Sequence, residues 1–236
     1  MITLVLIGLN IFTFFFIQPN PPLWFGTTPP NEERFYYETA PLPCQFEDEC
    51  PATIVGSAGQ SIEVPDRTLG EFVLSLLFSA FLHGNLLHIG GNMLFLWVFG
   101  NNVEDFLGHF KYILFYLVGA IGSGFAQVLT NLGSDGSEVP AIGASGAVAA
   151  VLGAYFVLYP RARVNVLVPI LFIWTILQLS AFVVLGLWFV YQFIVPQEGV
   201  AWQAHAGGFV IGALLILLFG GRPHRKRPVW QTEWRY

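Results

Sequence analysis

Ser145 stands in the stretch Gly143-Ala144-Ser145-Gly146, at the threshold of an apolar run that ends at Leu158. A serine that opens a helix has a hydroxyl beside an N–H without an intrahelical partner. One residue then offers both a nucleophile and an oxyanion donor. The flanking glycines let the backbone turn tightly and approach a ligand closely. The same four residues also suit a small-residue helix interface with no chemistry at all. His205 supplies the group that separates the two readings. It begins the last apolar run as Ser145 begins an earlier one, and at 100° per residue His205, Gly208 and Gly212 share a narrow face. Ser145, Ala149 and Gly153 form a similar stripe, so two backbones could approach closely enough to bring imidazole to hydroxyl. No Asp or Glu accompanies His205 in its run, so the chemistry would be a Ser–His dyad, oriented by packing.

Two more polar groups stand in apolar surroundings. His88 and Asn92 are four apart, share a helix face, and can both donate to a developing oxyanion beside the Ser145 amide. His83 lies about 140° around from His88 and is expected to support the adjacent loop. A zinc site from His83, His88 and His205 is the competing chemistry. The first two lack the i, i+4 spacing of a helical metal pair and no acid is nearby in sequence, so no metal and no cofactor are expected. Polar glue between spans, without catalysis, is the plainer alternative.

The elements that must position these groups are bilayer-length apolar runs. The chain is 55% hydrophobic and only 11% charged, which makes it a polytopic membrane protein. No basic patch interleaved with aromatics points to nucleic acid. The expected fold is an all-α bundle of six transmembrane helices. The first span covers 1–17; without a basic leader or an A-x-A-like site it reads as a crossing rather than a signal peptide, with a start further upstream left open. An external, Pro-rich and acidic loop covers 18–70, a core of five spans covers 71–220, and a basic cytoplasmic tail covers 221–236. The spans are expected at roughly 72–100, 112–130, 145–158, a segment within 164–195, and 202–219, with a polar turn at 101–111. Pro169 interrupts 164–195, which is either one tilted helix or a membrane-surface piece preceding a helix from about Ser180.

Charge sets the expected orientation. Placing 101–111, 160–163 and the C-terminus on one side gathers eight of the ten Lys+Arg there and leaves twelve of the fifteen acids opposite. Both termini are then cytoplasmic and Ser145 lies near the outer face. Cys44 and Cys50 fall in the outer loop, where a disulfide is possible and is expected if that side is oxidising; free thiols are the alternative.

Together these blocks resemble the rhomboid intramembrane serine proteases. The matching stretches are His83-Gly-Asn-Leu-Leu-His88-Ile-Gly-Gly-Asn92, Gly143-Ala-Ser145-Gly146, and Ala204-His205-Ala-Gly-Gly208 with Gly212, over roughly 69–220. The resemblance implies Ser145 as nucleophile and His205 as general base. It implies the Ser145 N–H, His88 and Asn92 as the oxyanion hole, with His83, Gly143, Gly146, Gly208 and Gly212 in support. It also implies a cavity open to the outside, and a helix from about Ser180 to Val195 that gates substrate access. One departure is Ala149, where many members carry an aromatic residue that stacks on the histidine; a Phe or Trp from a neighbouring span is the expected replacement.

The implied activity is endopeptidase cleavage of other membrane proteins near the outer face. Substrates would be transmembrane segments in the lipid bilayer, weak in helix propensity, in what is expected to be a prokaryotic plasma membrane. The alternatives are a catalytically silent relative that binds membrane proteins for quality control, which loss of Ser145 or His205 would mark, and a transporter, which would want midplane charges and repeated halves.

Overall fold

A helix that is apolar all round has no solvent face and must be enclosed. Ser145–Leu158 is such a helix, with Gly146 to Tyr155 and Leu158 all buried, and the remaining helices are arranged about it. The computed structural model describes residues 1–24, 27–47, 49–134, 136–170, 173–194 and 201–221. In chain order the helices are α1 (Ile2–Phe12, continued by a π-turn over Thr13–Ile17), α2 (Pro30–Thr39), α3 (Leu69–Ser79), α4 (Leu86–Leu107), α5 (His109–Asn131), α6 (Ser145–Leu158), α7 (Ala181–Ile194) and α8 (Trp202–Leu218). Two antiparallel hairpins join them: β1 (Thr53–Val55) with β2 (Ser61–Glu63), and β3 (Arg163–Ile170) with β4 (Ile173–Ser180).

Three sequence expectations change. The fold is mostly helical but not all-α, because both hairpins are real ladders; the second pairs Arg163 with Ser180 through to Ile170 with Ile173. The β-branched run in 164–176 explains this, since Val and Ile favour extended backbone and Pro169 cannot sit inside a helix. The helix expected from about Ser180 does follow, as α7. The span expected at 72–100 is two helices broken at 80–85. Asn85 ends the break by accepting the His88 N–H on its side chain at 2.8 Å, an N-cap that starts α4 there. The polar turn expected at 101–111 shrinks to Gly108, whose φ of +75° only glycine adopts readily, with helix on both sides.

Six helices alternate in direction between two ends, and α3 enters from one of them. At one end the buried Glu104 carboxylate accepts the Ile2 and Thr3 N–H groups at 2.6 and 2.8 Å and the Thr3 hydroxyl at 2.7 Å. These are otherwise unpaired donors of the first turn of α1, so a carboxylate from α4 caps a helix far away in sequence. The Tyr159 hydroxyl donates to the Asn102 carbonyl at the same end, and the Ala181 N–H to Ala162 where α7 returns. The opposite end holds Gln18, His83 and Ser145. Among the described residues one helix, His109–Asn131, is long and apolar enough by itself to cross a membrane; the apolar helices α1, α3, α6, α7 and α8 are shorter.

The distribution of side chains is that of a protein in lipid. Large apolar groups face outward on α1 (Leu4, Phe12), α4 (Leu94, Trp97), α7 (Leu187, Val190) and α8 (Leu214, Leu217). Small residues and buried tyrosines face inward, which is how helices pack when lipid tails are as apolar as the core. The basic tail that weighed in the orientation, from 222 onward, lies outside the described residues.

Candidate active site

Ser145 is the first residue of α6, one residue after its N-cap Ala144. The first internal bond of the helix runs from the Val148 N–H to the Ala144 carbonyl at 2.9 Å, so the Ser145 N–H lies in the unpaired first turn. Gly143 precedes it at φ +123°, and its N–H donates to the Ser79 carbonyl at the end of α3 at 2.9 Å. Glycine is needed there twice over. The backbone is left-handed, and a methyl at 143 would lie 2.9 Å from His88 Nε2 and 3.5 Å from Ser145 Oγ. The His88 ring and the serine hydroxyl therefore flank the same bare Cα.

The other ring nitrogen of His88 identifies the tautomer. The Gly84 N–H lies 3.3 Å from Nδ1, which as an acceptor carries no proton, so in the neutral ring Nε2 bears the hydrogen. The donor nitrogen is the one turned toward Gly143. Asn92 is buried one turn further along α4, and its Nδ2 donates to the His88 carbonyl at 3.0 Å. His83 is wholly buried, its ring edge-on to His88 with centroids 5.1 Å apart. The loop is held by the His83 backbone rather than its imidazole, whose nitrogens find no hydrogen-bond partner among the described residues.

That backbone carries a feature the sequence did not suggest. The Gln18 side-chain amide grips His83 on both sides: Nε2 donates to its carbonyl at 2.9 Å and Oε1 accepts its N–H at 2.9 Å. Gln18 Nε2 also reaches the buried Glu32 carboxylate at 2.6 Å, and the Tyr36 hydroxyl donates to the His83 carbonyl at 3.1 Å. Burial, then the neighbouring Glu32, pushes the Tyr36 phenol well above its usual range. A lone Gln, Glu and Tyr scattered over a polar loop carry no spacing signal, so only the folded chain exposes this network. The Cys44–Cys50 disulfide lies in the same loop, with Cα atoms 4.9 Å apart. The Cys44 N–H bonds to Ser137 and the Ala141 N–H to Pro41, tying the outer loop to the segment before Ser145.

α6 and α8 run parallel and touch through glycine, as their stripes suggest. A methyl on Gly208 would overlap the Gly146 carbonyl, one on Gly212 the Ala150 carbonyl, and one on Gly153 the Phe209 carbonyl. A methyl on Gly146 would in turn strike the Ser123 side chain of α5, and would stand 3.7 Å from Ala204 Cβ beside His205. Among the described residues no hydrogen bond joins Ser145 Oγ to His205; the bond His205 makes runs from Nδ1 to Gln192 Oε1 of α7, at 2.8 Å. Gln192 Nε2 donates to the Trp188 carbonyl at 3.1 Å, and the Trp188 ring lies over His205, with centroids 5.9 Å apart and planes at 33°. Trp188 is thus the aromatic from a neighbouring helix expected to replace the residue at Ala149.

A cavity of about 30 Å³ opens beside Ser145, lined by Ser79, Ser123, Gln127, Gly143, Gly146 and Ala204 among others. That is room for a water molecule with polar partners. The Ser145 hydroxyl thus borders a water-sized cavity, with the His88 ring across Gly143 from it and His205 on the helix packed against its own.

The Rhomboid domain family matches residues 71–222. The chain is 38% identical over 92 residues to Rhomboid protein 1, mitochondrial, of Saccharomyces cerevisiae, covering 39% of this chain and 27% of that protein. It is 32% identical over 92 residues to the presenilin-associated rhomboid-like protein, mitochondrial, of Mus musculus, covering 39% and 24%. Against Rhomboid protease GlpG of Serratia proteamaculans it is 34% identical over 150 residues, covering 62% and 47%. The matched stretches thus span from about a quarter to a half of these relatives. The mitochondrial names conflict with the expected prokaryotic plasma membrane; integration in a membrane is what the family carries.

Proposed function

The chain belongs to the rhomboid family, and from that premise we propose that it is an intramembrane serine endopeptidase working through Ser145 and His205. The observation that carries this reading is the glycine-packed pair α6 and α8. It sets the unpaired amide of Ser145 and the ring of His205 at the same end of two parallel helices, with His88 Nε2 turned toward them. Ser145 Oγ attacks the scissile carbonyl while His205 Nε2 takes its proton. The oxyanion of the tetrahedral intermediate is received by the Ser145 N–H and the His88 Nε2–H, with Asn92 beside them. Collapse breaks the C–N bond, and His205 returns its proton to the leaving amine. A water from the cavity, deprotonated by the same imidazole, then hydrolyses the acyl-enzyme.

Substrates are transmembrane segments of other membrane proteins, cut near the face that carries the outer loop. A peptide bond must leave its helical hydrogen bonds to be attacked, so residues of low helix propensity near that face favour cleavage. α7 is the gate, since only Ala181, Leu185 and Gln192 of its residues are buried. Six helices cross the bilayer with both termini on the basic side: α1 within 1–17, the outer loop 18–70, and a core at 71–220 followed by the tail 221–236.

The test is incubation of the detergent-solubilised protein with a panel of single-span substrates, beside Ser145→Ala and His205→Ala. Both variants should fold and both should lose turnover by at least about a thousandfold. Turnover retained in Ser145→Ala would remove the serine mechanism, and an inactive parent chain would favour a silent, substrate-binding relative.

A further inference from the structure

Gln192 is a buried amide in the site that the mechanism above leaves unused. It lies on α7, four residues and one turn from Trp188, so the two share a face, and that face meets His205. Its amide has one workable orientation. With Nε2 donating to the Trp188 carbonyl, Oε1 is the atom 2.8 Å from His205 Nδ1. Flipped, the amide would set oxygen against the Trp188 carbonyl oxygen and lose that bond. An amide oxygen brings no hydrogen, so the bond to Nδ1 exists only when Nδ1 carries the proton. A neutral imidazole protonated at Nδ1 keeps its lone pair on Nε2, and that is the form a base for Ser145 requires.

We propose that Gln192 is the positioning residue of this site: it holds His205 in the Nδ1–H tautomer and makes the base competent only while α7 is docked. The inference rests on the serine-protease reading. Its oxygen does for the ring what a carboxylate does elsewhere, without placing a charge in the bundle. Because Trp188 and Gln192 are one turn apart on one helix, moving α7 aside removes the ring contact and the hydrogen bond together. Substrate access and base orientation are thereby coupled through a single element.

The tautomer can be read on the unaltered chain. ¹⁵N NMR of histidine-labelled protein, with His205 assigned by comparison with His205→Asn, should show Nδ1 protonated at neutral pH; a proton on Nε2 overturns the proposal. Function is tested with Gln192→Met, close in shape but without an acceptor, and Gln192→Glu, which keeps an oxygen in place. For Gln192→Met, kcat and the rate of Ser145 labelling by a fluorophosphonate should fall roughly ten- to a hundredfold, with KM within about twofold. Gln192→Glu should recover most of both. Labelling of Gln192→Met at the parent's rate, or equal losses in the two variants, overturns it. A parent that is neither labelled nor active instead overturns the protease reading beneath it.

Discussion

Gly208 offers the sharpest perturbation of the site that touches none of its reacting groups. Its Cα faces the Gly146 carbonyl, one residue beyond Ser145, and an added methyl would overlap that oxygen, besides lying 3.1 Å from the Gly146 carbonyl carbon and 3.2 Å from Ala149 Cβ. These partners are backbone or a rotamer-free methyl, so no side chain can swing away. Restoring ordinary contact requires α6 and α8 to part by roughly 1 Å. A displacement of that size between reacting groups can cost about a hundredfold in rate, whereas overpacking costs only about 1–3 kcal/mol of stability. Gly208→Ala should therefore lose most of the cleavage rate while still folding, and Gly208→Val, with two more carbons at the same contact, should lose more of both. Gly8 on α1 is the control, since nothing lies within 4 Å of a methyl there; Gly8→Ala should cleave like the parent. Rates on one single-span substrate and melting temperatures in one detergent decide the matter. If Gly208→Ala matches the parent in both, the helices do not meet where the structure has them, and the shared face of Ser145 and His205 goes with that contact.

Two further expectations concern the outer loop. Gln18→Met strands the buried His83 N–H, at about 1–3 kcal/mol, while the His83 carbonyl keeps the Tyr36 hydroxyl and Glu32 keeps the Asn20 N–H. A lowered melting temperature should come with a lower kcat, because the His83–Asn85 turn sets His88; an unchanged melting temperature would contradict the network. The intact protein should be two hydrogens lighter by non-reducing mass spectrometry for the Cys44–Cys50 bridge, and replacing both cysteines by serine should cost about 2 kcal/mol for so short a loop with cleavage largely kept.

What the sequence revealed and what it hid follow from the range of the forces involved. The runs beginning at Ser145 and His205 were legible because apolar periodicity and small-residue spacing are local, and their ends agree closely with α6 and α8. The break at 80–85 was not, because Leu, Phe and Ala continue through it, and only the Asn85 cap and the Gln18 grip show where helix gives way. The β3–β4 hairpin was hidden because an apolar run of that length reads equally as buried helix or paired strand. Gln192 was hidden for a different reason. A glutamine within an apolar helix carries no motif, and its meaning lies entirely in the ring it faces thirteen residues on.

α6 is enclosed on every side, and α7 is held by few buried residues. One bundle thus contains helices in two different solvents. For α6 the surrounding medium is protein, whose packing does not change with acyl-chain length; for α7 it is largely lipid, whose thickness and order do. A thinner or stiffer bilayer exerts its force first on helices that face it, through tilt and mismatch. Ser145 is insulated from that force while the helix beside His205 is not. Membrane composition would then act on this molecule as a spring constant at α7, altering how often the ring of His205 is held rather than the chemistry of Ser145 itself.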